Sequence, residues 1–296
     1  MIAPTAQSDT ANFSAANLAT ANLAATKRRR WRVVRGLLIP SGIFLMFLVI
    51  GLTPTTFAPY DAYKMDVPSA MQGPSSAHWF GTDNFGRDVL SRILHGTRAS
   101  LGVALAAVAI AIVIGVPLGM LAGYFGRGTD QFLGRAMDIL LSFPSLLLAV
   151  VIAGILGPSV RNAILAIAVI YTPFFFRVAR GPTLSEKEQD YVMAAHAVGV
   201  KHLPIMVRHL LPNVIAPIVV QAPIMLSFAI LTEASLSYLG LGIQPPDPSW
   251  GSIINEGRPY LQIAPAISIF PGLTIMLAVL TFNFMGDNLR DLLDPK

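Results

Sequence analysis

The chain has 296 residues, of which 54% are hydrophobic and only 12% charged, with a formal charge of +5 and no cysteine. A water-soluble globule carries about twice that share of charge, so the composition points to a membrane protein. The missing cysteines exclude a disulfide scaffold, a thiolate metal cluster and a cysteine nucleophile, and the five scattered histidines lack the spacing and carboxylate partners of zinc motifs.

Residues 1–35 read as a disordered cytoplasmic tail rich in Ala, Ser, Thr and Asn, ending in the basic cluster Lys27, Arg28, Arg29, Arg30, Arg32 and Arg35. A basic cluster directly before an apolar run holds that side of the first span in the cytoplasm, which accounts for the positive charge without nucleic acid. No aromatic-basic interleaving or base-reading module supports a nucleic-acid partner. The charge-free interval from Gly36 to Tyr60 predicts a first span over about 36–57, too long for a signal-peptide core.

A polar stretch follows, broken by Pro59, Pro68, Gly73 and Pro74. Within it Asp83, Arg87 and Asp88 can form a salt-bridged cap over the membrane helices, or contact a solute or a delivering protein. A turn capping a helix that starts near Arg87 accounts for the same residues. The second span covers about 99–123, and its Gly115, Gly119 and Gly123 recur every four positions, on one face that admits close helix approach. A third is expected over 137–157, past Pro144.

The fourth, over 160–179, is short: the fifteen residues between Arg161 and Arg177 extend about 22 Å, against about 30 Å of hydrocarbon. The fifth covers about 213–235 and holds Glu233 near its far end, where a charge must face protein or water. An outer loop from Leu241 to Gln262 then carries Trp250 and Tyr260 as expected interface anchors. Pro265 and Pro271-Gly272 interrupt a sixth span over 265–286. The expectation is an all-α protein with six transmembrane helices, residues 36–296 forming one transmembrane domain with both termini on the cytoplasmic side.

Between the fourth and fifth spans lies a polar island, residues 185–213, SEKEQDYVMAAHAVGVKHLPIMVRHLLPN. Tyr191 to Val200 reads as a short helix whose Ala194, Ala195 and Gly199 leave a face that another protein can approach closely. Leu211, Pro212 and Asn213 are expected to end it and begin the fifth span. The chain lacks a GxxxxGK[ST] phosphate loop, so a transport cycle driven by ATP has to draw on another protein through this island. Ser185, Asp190 and His196 crowd together here, but as chance neighbours in a loop rather than a hydrolytic triad. No catalytic residue and no metal site is assigned.

In spacing, Ala194, Ala195, Gly199, Leu211 and Pro212 resemble the cytoplasmic coupling loop of the inner-membrane permeases of bacterial binding-protein-dependent ABC importers. Met193 stands where that family has a glutamate, and His209 where it has a hydrophobic residue. GTDNFGRDVLSRILHGTRASL (81–101), Ala122-Gly123-Tyr124, Asp138, Phe143-Pro144, Leu239 to Gly242 with Pro245-Pro246 and Trp250-Gly251, and FNFMGDNLRDLLDP (282–295) resemble its dipeptide, oligopeptide and nickel branch, in the shorter C-type subunit.

This resemblance, covering Arg30 to the end, implies a type I importer permease fold with a cytoplasmic coupling helix, at which Tyr191, Met193, Ala194, Ala195, Gly199, Leu211 and Pro212 meet the motor. It implies partners as well: a related second permease, two cytoplasmic ATPases that bind the ATP and magnesium, an extracytoplasmic peptide-binding protein, a peptide substrate and membrane lipids. On the outer side it leaves Asp83, Arg87, Asp88, Glu233 and Trp250 as candidates for a gate or for binding-protein contact. The chain itself binds no cofactor in this reading. Glutathione and nickel complexes are the alternative cargoes, and transport driven by an ion gradient is the competing mechanism.

Overall fold

A computed structural model describes residues 36–293; the predicted tail with its basic flank, and the last three residues, lie outside the described residues. Among those described, every regular element is a helix, apart from a single bridge between Thr82 and Asp88. Helices are what hydrocarbon demands, because they satisfy their own backbone hydrogen bonds. The elements are α1 (Gly36–Leu52), α2 (Pro54–Phe57), α3 (Val89–Phe125), α4 (Arg127–Leu141), α5 (Ser145–Leu156), α6 (Val160–Glu186), α7 (Asp190–Ala197), α8 (His202–Pro204), α9 (Leu211–Tyr238), α10 (Trp250–Gly257) and α11 (Ala266–Leu293).

The most extensive pairing is α3 on α6, and the glycine face explains it. A β-carbon at Gly115 would lie 2.6 Å from the Thr172 carbonyl oxygen, and one at Gly123 would lie 2.9 Å from that of Arg180. At Gly119 it would overlap the Phe176 carbonyl oxygen. Three glycines four residues apart therefore meet three backbone oxygens four residues apart. Without side chains between them the two backbones touch, and dispersion contacts replace the hydrophobic drive that lipid removes. Buried Ala104, Ala107 and Ala111 continue the small-residue face toward the other end of α3. Helix α9 packs on α6, α3 and α11, and α10 wedges against α9, α11 and α3.

The expected six spans are not what forms. Among the described residues four helices are long and apolar enough to cross a membrane, Val89–Phe125, Val160–Glu186, His202–Tyr238 and Ala266–Leu293, or up to five if a bent pair counts as one. The expected first span, 36–57, is the shorter helix α1, about 26 Å over its 17 residues, broken at Thr53 before Pro54. The expected third, 137–157, is the bent pair: α4 and α5 meet at 89° across Ser142-Phe143-Pro144. Proline biases the residue before it away from helical backbone, and α5 alone extends only about 18 Å. The parity argument that put both termini and the island on one side rested on six crossings and goes with them.

The short fourth segment, by contrast, becomes the 27-residue α6, which continues past Arg177 and Arg180 because both find carboxylates: Arg177 bonds Asp138 at 2.8 Å and Arg180 bonds Asp130 at 2.7 Å. The fifth span does not begin at Asn213. Helix runs unbroken from His202 to Tyr238, with a π-helical stretch at Ile205–Leu210 in which the Leu211 N–H reaches back five residues to Met206. Pro212 has no N–H and its ring would clash with the carbonyl four residues earlier, which a wider turn just before it relieves. Helix α11 passes through Pro271 without a break.

The glycine contact gives a direct test. Gly119→Ala places a methyl against the Phe176 backbone and is expected to destabilise the folded chain by about 1–3 kcal/mol. Gly128→Ala, where nothing lies within 4 Å, leaves the midpoint unchanged or slightly raised in detergent-solubilised protein followed by thermal unfolding.

Candidate functional site

The α3–α6 pair has a polar assembly at each end. At one end Asp88 caps α3: its carboxylate accepts from the Ser91 N–H at 2.8 Å and the Ser91 hydroxyl at 2.7 Å, and meets His78 Nδ1 at 2.9 Å. Asp83 folds the preceding turn by accepting the N–H groups of Phe85 and Arg87. Its other oxygen takes Arg87 Nε at 2.6 Å and Arg92 Nη1 at 2.7 Å. Glu256 of α10 closes the group, accepting from Arg87 at 2.6 Å and from Arg92 at 2.7 and 3.0 Å.

Two guanidinium groups and two carboxylates thus form a neutral cluster in which Asp83 is wholly buried and Arg92 almost so. Charges removed from water are tolerable only when paired and hydrogen-bonded in this way. The cluster pins the loop before α3, and α10, to the start of α3. Arg92 and Glu256, its two remaining members, were not among the residues singled out from the sequence. They stand 164 positions apart, and the only local signal was an acidic residue in an otherwise apolar amphipathic turn.

Trp250 is not an interface anchor. It is completely buried, its indole N–H donating to the Ile93 carbonyl at 3.2 Å and its backbone N–H to Ser100 Oγ, with Phe47 edge-on to the ring. Glu233 is equally buried: one carboxylate oxygen accepts from Ser237 Oγ at 2.7 Å and the other has no protein partner. Neither residue presents a surface to a docking protein in this conformation.

At the opposite end lies the island. Helix α7 turns Val192 and Ala195 inward and leaves Tyr191, Met193, Ala194 and Gly199 exposed, so Ala195 does not share the small outward face expected of it. Gly199 sits at φ +81° with open space around it. Its N–H reaches His196 while Val200 bonds back to Ala195, a left-handed helix end that favours glycine. Backbone conformation, not close approach, therefore requires this glycine. Leu211 and Pro212 lie within the continuous helix rather than at its start.

Two hydrogen-bonded groups hold the island, and the sequence reading assigned neither. The Tyr191 hydroxyl donates to Glu186 at 2.6 Å, and Asn213 bonds both, so the two ends of the segment are stapled together. Partial burial, and then the bond to Glu186, hold the Tyr191 hydroxyl above the ordinary tyrosine range, keeping it a donor at neutral pH. Tyr124, near the end of α3, places its hydroxyl 3.1 Å from His196 and 2.8 Å from His202, linking that helix to α7 and α8.

The family model for the binding-protein-dependent transport system inner membrane component matches residues 115–296. The chain belongs to this family. The dipeptide transport system permease protein DppC of Alkalihalophilus pseudofirmus is 45% identical over 270 residues, covering 91% of this chain and 87% of that one. The glutathione transport system permease protein GsiD of Pectobacterium atrosepticum is 42% identical over 91% of each chain. Among solved structures, an inward-facing conformation of the MetNI methionine ABC transporter matches with a TM-score of 0.56 at 20% identity, covering 69% of this chain and 96% of that chain, a likeness of fold alone. The chain is therefore a multi-pass inner-membrane component of a binding-protein-dependent transport system.

Arg92→Met removes one partner of a buried charge cluster, and about 3–5 kcal/mol of stability is expected to go with it. Glu256→Gln, at the rim with a side chain 20% exposed, loses less than half of that, about 1–2 kcal/mol. Denaturant unfolding of the two variants in detergent ranks them. Gly199→Ala adds about 1–2 kcal/mol of left-handed strain confined to the island, read as faster hydrogen exchange at residues 190–200.

Proposed function

We propose that this permease is the C-type subunit of an ATP-driven importer that moves di- or oligopeptides across the bacterial inner membrane, with residues 36–296 as its transmembrane domain. A related second permease completes the path, two cytoplasmic ATPases drive it, and an extracytoplasmic binding protein delivers the peptide. The observation that carries the reading is the island's outward face. There Met193, Val198, Leu203 and Val207 are between 51% and 79% exposed on a segment flanked by charged and polar residues. Large apolar side chains exposed in such a setting mark a protein contact.

In this reading Tyr191, Met193, Ala194 and Gly199 meet an ATPase lobe, while Ala195 works from beneath and Leu211 and Pro212 belong to the helix that becomes α9. Motion of α7 then reaches α9 across the turn at residues 198–201 and the helix that starts at His202, and reaches α3 through Tyr124, a rigid-body route of the kind packed helices transmit. On the other side, Asp83, Arg87 and Asp88 hold the loop on which Trp79 and Phe85 are exposed, the aromatic surface offered to the binding protein, with Trp250 and Glu233 as its support.

The printed functions of the two relatives support a peptide cargo, and the glutathione permease keeps that tripeptide as a second reading. Vesicles holding the full assembly are expected to take up labelled dipeptide in an ATP-dependent manner, with glutathione compared in parallel. Ala194→Arg, a change on the exposed face, lowers uptake about tenfold or more, equivalent to about 1.4 kcal/mol of lost contact, without moving the unfolding midpoint. Uptake that persists without ATPases and follows an ion gradient would overturn the proposal.

A further inference from the structure

A cavity of about 610 Å³ opens between the end of α1, α2, α3, the start of α6 and the loop after α9. Its polar groups are Arg98, Asp247, Tyr63 and His95, set over an apolar floor that includes Leu52, Val103 and Ile164. A second hollow of about 250 Å³ lies along the α1–α3 seam, lined by Phe47, Leu48, Leu101 and Leu105. The two share Leu52, Arg98 and Gly102. Polar chamber and apolar groove thus adjoin, with a cation at their common wall.

Arg98 stands where α3 changes character, between the polar cap and the charge-free run that begins at Ala99. That is the level of lipid headgroups. Among the described residues it forms no ion pair, unlike Arg87, Arg92, Arg177 and Arg180. Asp247 gives one oxygen to the Tyr63 hydroxyl at 3.1 Å and makes no ion pair either. Partial burial and the bond to Asp247 hold the Tyr63 hydroxyl above the ordinary tyrosine range. His95 donates Nδ1–H to the Ser91 carbonyl at 2.9 Å and sets its ring edge-on to Tyr63. Gly102 leaves the passage open, for a β-carbon there would meet nothing within 4 Å.

We propose that this feature is a site for a phospholipid with a zwitterionic headgroup of the phosphoethanolamine class. Its phosphate lies on Arg98, its ammonium on Asp247, and an acyl chain runs down the α1–α3 groove between Phe47 and Leu105. Charge complementarity selects this occupant: the guanidinium suits a phosphate, and the carboxylate rewards an ammonium and opposes an anionic headgroup. An apolar groove leading away from the charged pair fits an acyl chain and not a peptide, whose backbone polar groups would go unpaired there. The bound lipid also covers the seam along which the short α1 is held to α3.

The test uses the full chain in bilayers of equal phosphatidylethanolamine and phosphatidylglycerol, extracted gently and analysed by native mass spectrometry for retained lipid. Phosphatidylethanolamine is expected to be enriched at least about fivefold over phosphatidylglycerol, corresponding to about 1 kcal/mol of selectivity. Arg98→Gln lowers total retention about fivefold, Asp247→Asn abolishes the selectivity, and Gly102→Leu, which has room to fold, blocks retention. Equal retention by wild type and all three variants would mean a non-specific lipid shell and overturn the site. Displacement of the lipid one-for-one by a dipeptide would overturn it too, making the cavity a cargo site.

Discussion

The contact on which the structure depends is backbone against backbone, where Gly115, Gly119 and Gly123 of α3 meet the Thr172, Phe176 and Arg180 carbonyls of α6. In lipid no hydrophobic force draws helices together, so the pair relies on the fit that missing side chains permit. Sliding α3 along α6 at such a surface would drive side chains into backbone, which opposes relative movement of the pair. Everything functional hangs from its ends. The charge cluster of Asp83, Arg87, Arg92 and Glu256 fastens the loop before α3, and α10, at one end, and Tyr124 reaches His196 and His202 at the other.

The two ends are built differently, and the difference suits their roles. The outer cluster is buried, neutral and fully ion-paired, so separating it is costly and it behaves as a fixed clamp. The island is held by exposed hydrogen bonds of Tyr191, Glu186, Asn213 and Tyr124, each of small net worth in water, and by the buried side chains of Val192 and Ala195. In the proposed cycle the island reorients with a motor, and a segment that does so is expected at the low-stability end of a structure. Its link to α9 is short: α7 ends at Ala197, residues 198–201 turn through Gly199, and unbroken helix then runs from His202 to Tyr238.

Local spacing made some of this legible. The four-residue glycine period announced the α3–α6 face, and the Ala-Ala spacing before Gly199 marked the island and the family. What needed three dimensions was harder. Arg92 and Glu256 are far apart in the chain, and neither alone predicts a cluster. Ala195 faces inward because α7 is phased by Val192, information that a run of small residues does not contain. Trp250 has the composition of an interface anchor but ends in the core because the capped turn at Ser249 directs it between Phe47 and Ile93. The span count failed for a related reason: hydropathy sees an apolar interval, whereas Pro54 and Pro144 decide whether that interval is one straight helix.

That the island receives the motor's motion is the central claim, and the chain's lack of cysteine makes it directly measurable. A single Met193→Cys chain, assembled with its ATPases in membranes, would be treated with a short thiol crosslinker in the absence and presence of ATP. The account predicts a crosslink between position 193 and an ATPase whose yield changes with nucleotide, and no reaction with a membrane-impermeant thiol reagent applied from the outer side. Outer labelling at position 193, with no ATPase adduct in either state, would contradict it.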